Sequence, residues 1–255
     1  MVKPIAIKTG ARRNRGESAA ERLRRDILHG KYKPGTRLPP ERELSERLGT
    51  NRNTLREALR TLEAENLVVA RQGDGTIVRD WRRTAELDLL PHWLAEGDLR
   101  VDELFSTIHP LMLLRQDLFA RIFAQAMQHA DEDDLAAIDE AIRALEVAGD
   151  GDWIALDRLA LQAFAVAAHS PSLLWLQNSI HRVFAEHAQR NLGVWVREAS
   201  HVERLRRIAR HLRDKKLDRA REEIAHLFES QTNAVFQEIR PAAAAQRKAA
   251  RTARR

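Results

Sequence analysis

The feature that most constrains the fold is the segment 17–80, in which three short helical patterns precede two apolar runs around a glycine-rich turn. Each helical pattern has apolar residues three and four positions apart, a spacing that places them on one face of a helix. Each also has end signals, because serine and asparagine cap helix starts and glycine follows helix ends. The predicted helices are 19–29 between Ser18 and Gly30, 41–48 before Gly49, and 52–66 after Asn51.

The two apolar runs that follow predict a β-hairpin. Residues 67–71 and 76–79 are short and apolar, and the turn between them contains Gly73 and Gly75. Glycines between two such runs are a typical hairpin signal. Three helices followed by a hairpin are the elements of a winged helix-turn-helix, so we predict this fold for residues 17–80. The second helix of such a motif enters the major groove of DNA, and here that helix is the third one.

After Thr84 the pattern changes to helical periodicity alone, and no strand-like alternation follows. The predicted helices are centred on Ile138, Phe164, Ile208 and Ile224, with further candidates at about 84–95, 101–129 and 171–190. The sequence therefore predicts a mainly α protein with an all-helical bundle of six or seven helices at residues 84–240. Residues 1–16 and 241–255 lack apolar periodicity and are predicted to be a disordered basic arm and a disordered basic tail.

The net charge of +6 is distributed unevenly. The arm and the tail each carry five basic residues and no acidic residue, and residues 17–80 have 13 basic and 11 acidic residues. Residues 81–240 have 20 basic and 26 acidic residues, so this part is negative. The separation indicates a nucleic-acid-facing head on a body that does not bind the polyanion, although the basic tails alone could equally serve solubility.

The start of the third helix carries side chains suited to contact DNA. Arg52, Asn53 and Thr54 fall in its first turn, and Arg56 follows shortly after. Arginine can donate two hydrogen bonds to guanine, asparagine can pair with adenine, and threonine can touch a thymine methyl group. The helix N-terminus adds N–H groups and a partial positive charge that favour phosphate. Arg42, at the start of the preceding helix, is placed to contact the backbone or a flanking base.

The string PPERELSERLGTNRNTLREALRTLEAENLVVARQGDGTIV, residues 39–78, resembles the signature of the GntR superfamily of bacterial transcription regulators. The motifs that occur in the family's order and spacing are Lys33-Pro34-Gly35, Glu41-Arg42-Glu43-Leu44, Arg52 to Leu59, and Gln72 to Val78. The DNA contacts that the resemblance implies are Arg42, Arg52, Asn53, Thr54 and Arg56, with the wing tip, Gln72-Gly73, reaching the minor groove. The resemblance also implies a repressor that binds a near-palindromic operator in double-stranded DNA as a homodimer.

The helical body resembles that of the FadR-type branch of the superfamily. This resemblance implies a dimerising domain that binds an acidic metabolite, often with a metal, or in some members an acyl-CoA. The metal-binding members use an aspartate, which matches Asp157, and three histidines, whose positions fall on Leu161, Leu205 and Leu227. One carboxylate with three leucines cannot hold a divalent cation, so we predict no metal. The alternative is a shifted frame in which a nearby histidine is a ligand, the candidates being His201, His211 and His226.

With apolar residues at those ligand positions, the chain resembles the acyl-CoA-responsive members, although the usual Gly-Asn after the helix that contains Asp157 is absent. Arg115 matches an arginine that faces the ligand cavity in this branch. We therefore name Arg115 and Asp157 as candidate effector-binding residues, the alternative being an internal salt bridge between them. The resemblance points to an acyl-CoA as effector, with a small carboxylic acid as the next candidate, while the apolar lining could equally be ordinary core.

Other functional classes find little support. The chain has no cysteine, no Gly-x-Ser-x-Gly elbow, no His-Glu-x-x-His pair and no phosphate-binding glycine loop, so we expect no enzyme activity. No apolar signal-peptide core is present, and polar residues interrupt the longest uncharged stretch, 159–181, so we expect a cytoplasmic protein that does not enter a membrane. The alternative to a metabolite-responsive regulator is an architectural or nonspecific DNA-binding protein, which the basic tail favours.

Overall fold

A computed structural model of the chain describes residues 18–95, 101–149, 152–191 and 200–233. These residues belong to two compact units, an N-terminal head that ends within the gap 96–100 and a C-terminal body that follows it. The predicted basic arm, 1–16, and basic tail, 241–255, lie outside the described residues. Within the described ranges, no helix combines the length and the apolar composition that crossing a membrane requires.

The head begins with three helices, α1 (Ala19–Leu28), α2 (Glu41–Leu48) and α3 (Arg52–Ala64). Ser18 caps α1 in a capping box, because its hydroxyl accepts from the backbone N–H of Glu21 while the Glu21 carboxylate accepts from the Ser18 N–H. Gly49 ends α2 in the left-handed conformation, with a φ of 65°. The three predicted helices are confirmed, although α3 ends before the predicted residue 66.

The wing is an antiparallel hairpin of β1 (Val68–Arg71) and β2 (Gly75–Val78), as predicted. A segment that precedes α2 also pairs with β2, through an isolated bridge from Arg37 to Ile77. Gly75 has a φ of 76°, and a Cβ at this position would lie 2.8 Å from the Nε of Arg37. The guanidinium of Arg37 is the end of an exposed, flexible side chain that can move aside, so position 75 favours glycine because of its backbone conformation.

The head has its own hydrophobic core, to which α1, α3 and the hairpin contribute. Leu23, Leu55 and Leu62 are completely buried within it. On α3 the buried face is completed by Ala58, whereas Leu59, which the periodicity also allows on that face, is only partly buried. Leu55, Ala58 and Leu62 therefore form the centre of the buried stripe, and Leu59 lies at its edge, packed against the core.

The segment after the wing packs on the head. It consists of α4 (Trp81–Thr84), a 3-10 turn (Leu87–Leu89) and α5 (Leu90–Ala95), so the single helix predicted at about 84–95 is interrupted. Leu89 is 4% exposed and belongs to the head core. Asn66, just after α3, accepts from Arg79 Nη1 at 2.7 Å and donates to Glu86 Oε1 at 3.0 Å. These hydrogen bonds join the segment to the end of α3.

In its described residues, the body contains six helices: α6 (Val101–His129), α7 (Glu132–Glu146), α8 (Trp153–Ala167), α9 (Pro171–Asn191), α10 (His201–Arg213) and α11 (217–233). Phe119 of α6 lies at the centre of their common core, with its ring centroid 5.5 Å from that of Phe164 and 5.4 Å from that of Phe228. The predicted mainly α fold with a helical bundle after the winged head is confirmed.

Candidate functional site

The predicted DNA-contacting side chains of α3 lie exposed at its N-terminal end. Arg52, Asn53 and Thr54 occupy the first turn, and Arg56 is exposed as well. Asn51 caps this end, since its Oδ1 accepts from the backbone N–H of Thr54 at 2.9 Å. The first turn of α3 thus combines exposed donors with the positive end of the helix dipole, an arrangement that suits a polyanion.

Two of the candidate arginines are held by carboxylates of α2. The Nε of Arg56 donates to Oε2 of Glu41 at 2.9 Å, and Nη1 of Arg42 donates to Oε1 of Glu46 at 3.3 Å. The first ion pair joins α2 to α3, whereas the second lies within one helix. Both pairs are exposed, so water screens them and each contributes little to stability. Arg52 forms no ion pair with any residue that the structure describes.

The wing tip carries the other two predicted contacts. Gln72 and Gly73 are exposed in the turn between the strands, and Gly73 has a φ of 84°. The Oε1 of Glu63 on α3 accepts from the backbone N–H of Ala70 on β1 at 2.9 Å, which ties the hairpin to the helix. All seven candidate DNA-binding residues therefore lie exposed on one compact unit.

The body contains a buried polar cluster of five residues from five helices. Its members are Arg115 (α6), Asp157 (α8), His181 (α9), His201 (α10) and Gln231 (α11). The first four are buried in the bundle, and Gln231 is hydrogen-bonded to the buried Arg115. Both candidate effector-binding residues, Arg115 and Asp157, belong to it and are 2% and 1% exposed. Burying a polar group is costly unless it recovers the hydrogen bonds that it loses on leaving water, so this cluster is the candidate effector site of the body.

A chain of hydrogen bonds runs through the cluster. Arg115 Nη1 donates to Gln231 Oε1 at 2.9 Å, and Gln231 Nε2 lies 3.5 Å from His201 Nδ1. The other ring nitrogen of His201, Nε2, donates to Asp157 Oδ1 at 2.6 Å. Aromatic rings flank this chain, with Arg115 over the ring of Phe228 and Trp153 packed edge-on against His201.

Electrostatics within the cluster shift three ionisable groups. Burial raises the pKa of Asp157, but the hydrogen bond and charge of His201, together with the charge of Arg115, outweigh it, and the net pKa is lowered. Burial lowers the pKa of Arg115 to about 10, against the attraction of Asp157. Burial, with the charge of Arg115, lowers the pKa of His181 to about 3, so this imidazole is neutral at pH 7. The cluster thus holds a buried guanidinium and a buried carboxylate together.

The positions of the family's metal ligands are apolar in this chain. Leu161, Leu205 and Leu227 are buried in the hydrophobic core of the body. Of the three histidines considered for a shifted frame, His201, one helical turn before Leu205, contacts Asp157. Among the described residues, the group whose ligand atoms lie within 4.8 Å of one another is elsewhere, at Asp131, Asp134 and His169 near the start of α7. The absence of a metal stays a prediction.

Two members of the cluster carry no signal in the sequence. His181 and Gln231 lie on helices whose pattern marks only their apolar faces, and nothing in their spacing relates them to Asp157. His201 is recognisable only as a histidine near a ligand position of the resembled family. These residues meet because the bundle brings α9, α10 and α11 around α6 and α8.

A helix-turn-helix with a two-stranded wing and an exposed, arginine-bearing helix start defines a DNA-binding protein of the winged-helix class. Residues 15–78 match the family described as bacterial regulatory proteins, gntR family, and residues 111–230 match the FCD domain. The chain belongs to the GntR family of transcription regulators, and the resemblance inferred from its motifs is confirmed. The matched domains and the relatives are regulators of transcription and not enzymes.

Three curated relatives illustrate this membership. The HTH-type transcriptional regulator Mce2R of Mycobacterium tuberculosis is 37% identical over 147 residues, which cover 57% of this chain and 60% of that protein. The galactonate operon transcriptional repressor of Escherichia coli is 32% identical over 163 residues, 62% of this chain and 69% of that protein. The fatty acid metabolism regulator protein of Shewanella amazonensis is 33% identical over 108 residues, 42% and 44% of the two chains. The match thus spans about three fifths of the length of the first of them.

Proposed function

We propose that this GntR-family regulator binds a near-palindromic operator as a homodimer and that an acidic metabolite, bound at the buried polar cluster of the body, modulates this binding. The observation that carries the DNA part is the exposed group of Arg52, Asn53, Thr54 and Arg56 at the start of α3. These side chains supply donors for guanine and adenine edges. Arg42 and the wing tip, Gln72-Gly73, add contacts to the backbone and the minor groove.

The homodimer follows from the geometry of such operators, since a two-fold symmetric pair of heads matches two half-sites one helical turn apart. Large apolar side chains that stay exposed on the body are candidates for the contact between subunits. They are Phe105, Leu113, Leu114, Val147, Leu159, Val166, Trp175 and Leu176. Light scattering of the purified full chain should give twice the mass of one chain, and a monomeric mass at micromolar concentration would refute the dimer.

The test of the DNA part uses two arginine variants and one control. Duplexes selected from a random pool with the full chain define the preferred sequence, and fluorescence polarisation measures the affinity. Arg52→Ala and Arg56→Ala should each lose roughly 10- to 100-fold of the affinity for that sequence, because each removes a bidentate base contact. Arg60→Ala is the control, as Arg60 is exposed on the same helix, is paired with Glu57 and is no candidate contact. Wild-type affinity of both test variants would refute the assignment.

The effector part rests on the buried cation Arg115. An anionic ligand that reached it would compete with Gln231 for its N–H groups and would add the negative charge that a buried guanidinium favours. An acyl-CoA thioester and a small carboxylate are the two candidates. One relative is named as a galactonate operon repressor and another as a fatty acid metabolism regulator, so the names of the relatives are compatible with either a small carboxylate or an acyl-CoA.

Thermal shift with a panel of acyl-CoAs and small carboxylates tests this part, because a ligand that binds the folded state raises the melting temperature by mass action. A hit should also quench or shift the fluorescence of Trp153, which packs against His201. The shift should disappear in Arg115→Met, while Arg121→Met, an exposed arginine of the same helix, should keep it. A shift that survives in Arg115→Met would place the ligand elsewhere.

An architectural role is the competing function, and the basic arm and tail favour it. A sequence-specific regulator should prefer its selected duplex over random duplex by roughly 10³-fold or more at physiological salt. A ratio near one in the same titration would favour the architectural role.

A further inference from the structure

We infer that Glu41 determines the DNA specificity of the head by orienting Arg56 for one base pair and by opposing the binding of other sequences. The inference rests on the proposed function, in which Arg56 contacts a base. Its starting point is the ion pair of these two side chains, which joins the first residue of α2 to the fifth residue of α3.

The geometry of the pair leaves Arg56 able to contact DNA. Glu41 accepts from Nε alone, at 2.9 Å, so the two terminal nitrogens of the guanidinium remain available to another acceptor. A guanidinium fixed at its Nε edge has lost much of its rotational freedom before DNA arrives. Preorganisation of this kind improves binding by reducing the ordering cost at the interface.

The same pair contributes little to the fold. The side chains of Arg56 and Glu41 are 60% and 42% exposed, and ion pairs in water are weak. The head core lies beneath and contains neither residue. Loss of the pair should therefore appear in DNA recognition and leave the melting temperature almost unchanged.

The negative charge of Glu41 is the second way in which this residue raises DNA specificity. A carboxylate beside the candidate contact surface is repelled by every phosphate backbone, whatever the base sequence. At the correct base pair, the contact made by the oriented Arg56 offsets this repulsion. Other sequences lack that contact, so the repulsion weakens their binding. A group that repels all partners and is compensated only in the right complex raises specificity.

The other carboxylates of α2 differ in this respect. Glu46 pairs with Arg42 and Glu43 pairs with Arg47, each within α2. Neither of them joins α2 to the helix that carries the base contacts. Glu43 is a matched control for Glu41, because it is on the same helix, carries the same charge and has a partner, Arg47, that is no candidate contact.

The experiment compares the wild-type full chain with Glu41→Ala, Glu41→Gln, Arg56→Ala and Glu43→Ala. The duplex selected with the wild type and its single-base-pair substitutions are titrated by fluorescence polarisation at one salt concentration, beside a random duplex. Glu41→Ala should lose about tenfold affinity for the selected duplex, within the range of one base contact, and should bind the random duplex at least as tightly as wild type. It should relax the preference at the base pair that Arg56→Ala relaxes.

The remaining variants separate the two roles of the carboxylate. Glu41→Gln keeps an acceptor oxygen and loses the charge, so it should retain part of the base preference while its affinity for random duplex rises severalfold. The double variant of Glu41 and Arg56 should be no more relaxed than Arg56→Ala alone, because the effect of Glu41 passes through Arg56. Glu43→Ala should keep the wild-type base preference.

Three outcomes overturn the inference. Glu41→Ala could retain the wild-type preference at the base pair that Arg56→Ala relaxes, the two substitutions could act additively, or Glu43→Ala could relax the same base pair. A wild-type chain that selects no preferred duplex refutes the proposed function itself, and the inference with it.

Discussion

The pH dependence of stability between pH 5 and pH 7 should depend largely on His181. Burial, with a smaller contribution from the charge of Arg115, lowers its pKa from the ordinary 6.5 to about 3. The folded chain therefore binds fewer protons at this site than the unfolded chain does between those values, and stability rises with pH. The stabilisation is fully present above pH 6.5 and decreases by about 1.4 kcal/mol per pH unit below it, so from pH 7 to pH 5 this site should remove about 2 kcal/mol.

Urea titration of the full chain at pH 7 and at pH 5 measures this loss. In His181→Gln, which cannot take up a proton in this range, the difference between the two pH values should shrink by about 2 kcal/mol, whatever the substitution does to stability at pH 7. Asp157 has a lowered pKa and Arg115 a pKa of about 10, so neither titrates in this window. His226→Gln removes an exposed histidine and should keep the wild-type difference. The reasoning is refuted if His181→Gln loses as much stability as wild type between the two pH values.

Three further expectations concern the head and the tail. Arg24→Met should lower the free energy of unfolding in urea by about 3 kcal/mol, because it leaves the largely buried carboxylate of Glu65 without its bidentate partner; a change below about 1 kcal/mol would contradict this. Gly75→Ala and Gly73→Ala should each cost about 1–2 kcal/mol, because both glycines have a positive φ and the Arg37 side chain beside Gly75 can move aside; a cost below about 0.5 kcal/mol at both positions would contradict this. Deletion of 241–255 should flatten the dependence of DNA affinity on salt, by about 0.9 in the log–log slope for each phosphate that the tail neutralises, and an unchanged slope would show that the tail does not touch DNA.

The buried polar cluster bears on the predicted absence of a metal, because it gives Asp157 polar partners. The apolar residues at three ligand positions argue against the metal site of the metal-binding relatives, yet Asp157 is not left as an isolated buried carboxylate. His201 donates to it, and the chain of hydrogen bonds continues through Gln231 to Arg115. Asp157 thus has a histidine as its direct partner and a buried guanidinium at the far end of the same chain of hydrogen bonds.

Most of the head could be predicted from the sequence because its determinants are local. Ser18 and Asn51 act as helix caps within three residues of their partners, and Gly49 ends α2 through its own backbone conformation. The exposed positions at the start of α3 follow from the same register that buries Leu55 and Leu62. Helix periodicity, capping and turn chemistry act over a few residues, so one sequence suffices to locate them.

The sequence by itself thus determined the order of helices and strands and the side chains that are exposed at the start of α3, whereas the partners of the polar side chains were decided by tertiary structure. Glu41 meets Arg56 across 15 residues, His201 meets Asp157 across 44, and Gln231 meets Arg115 across 116. No periodicity links residues so far apart in the chain. They come together because several helices bury their apolar faces at once, and that packing places polar side chains from distant segments in contact.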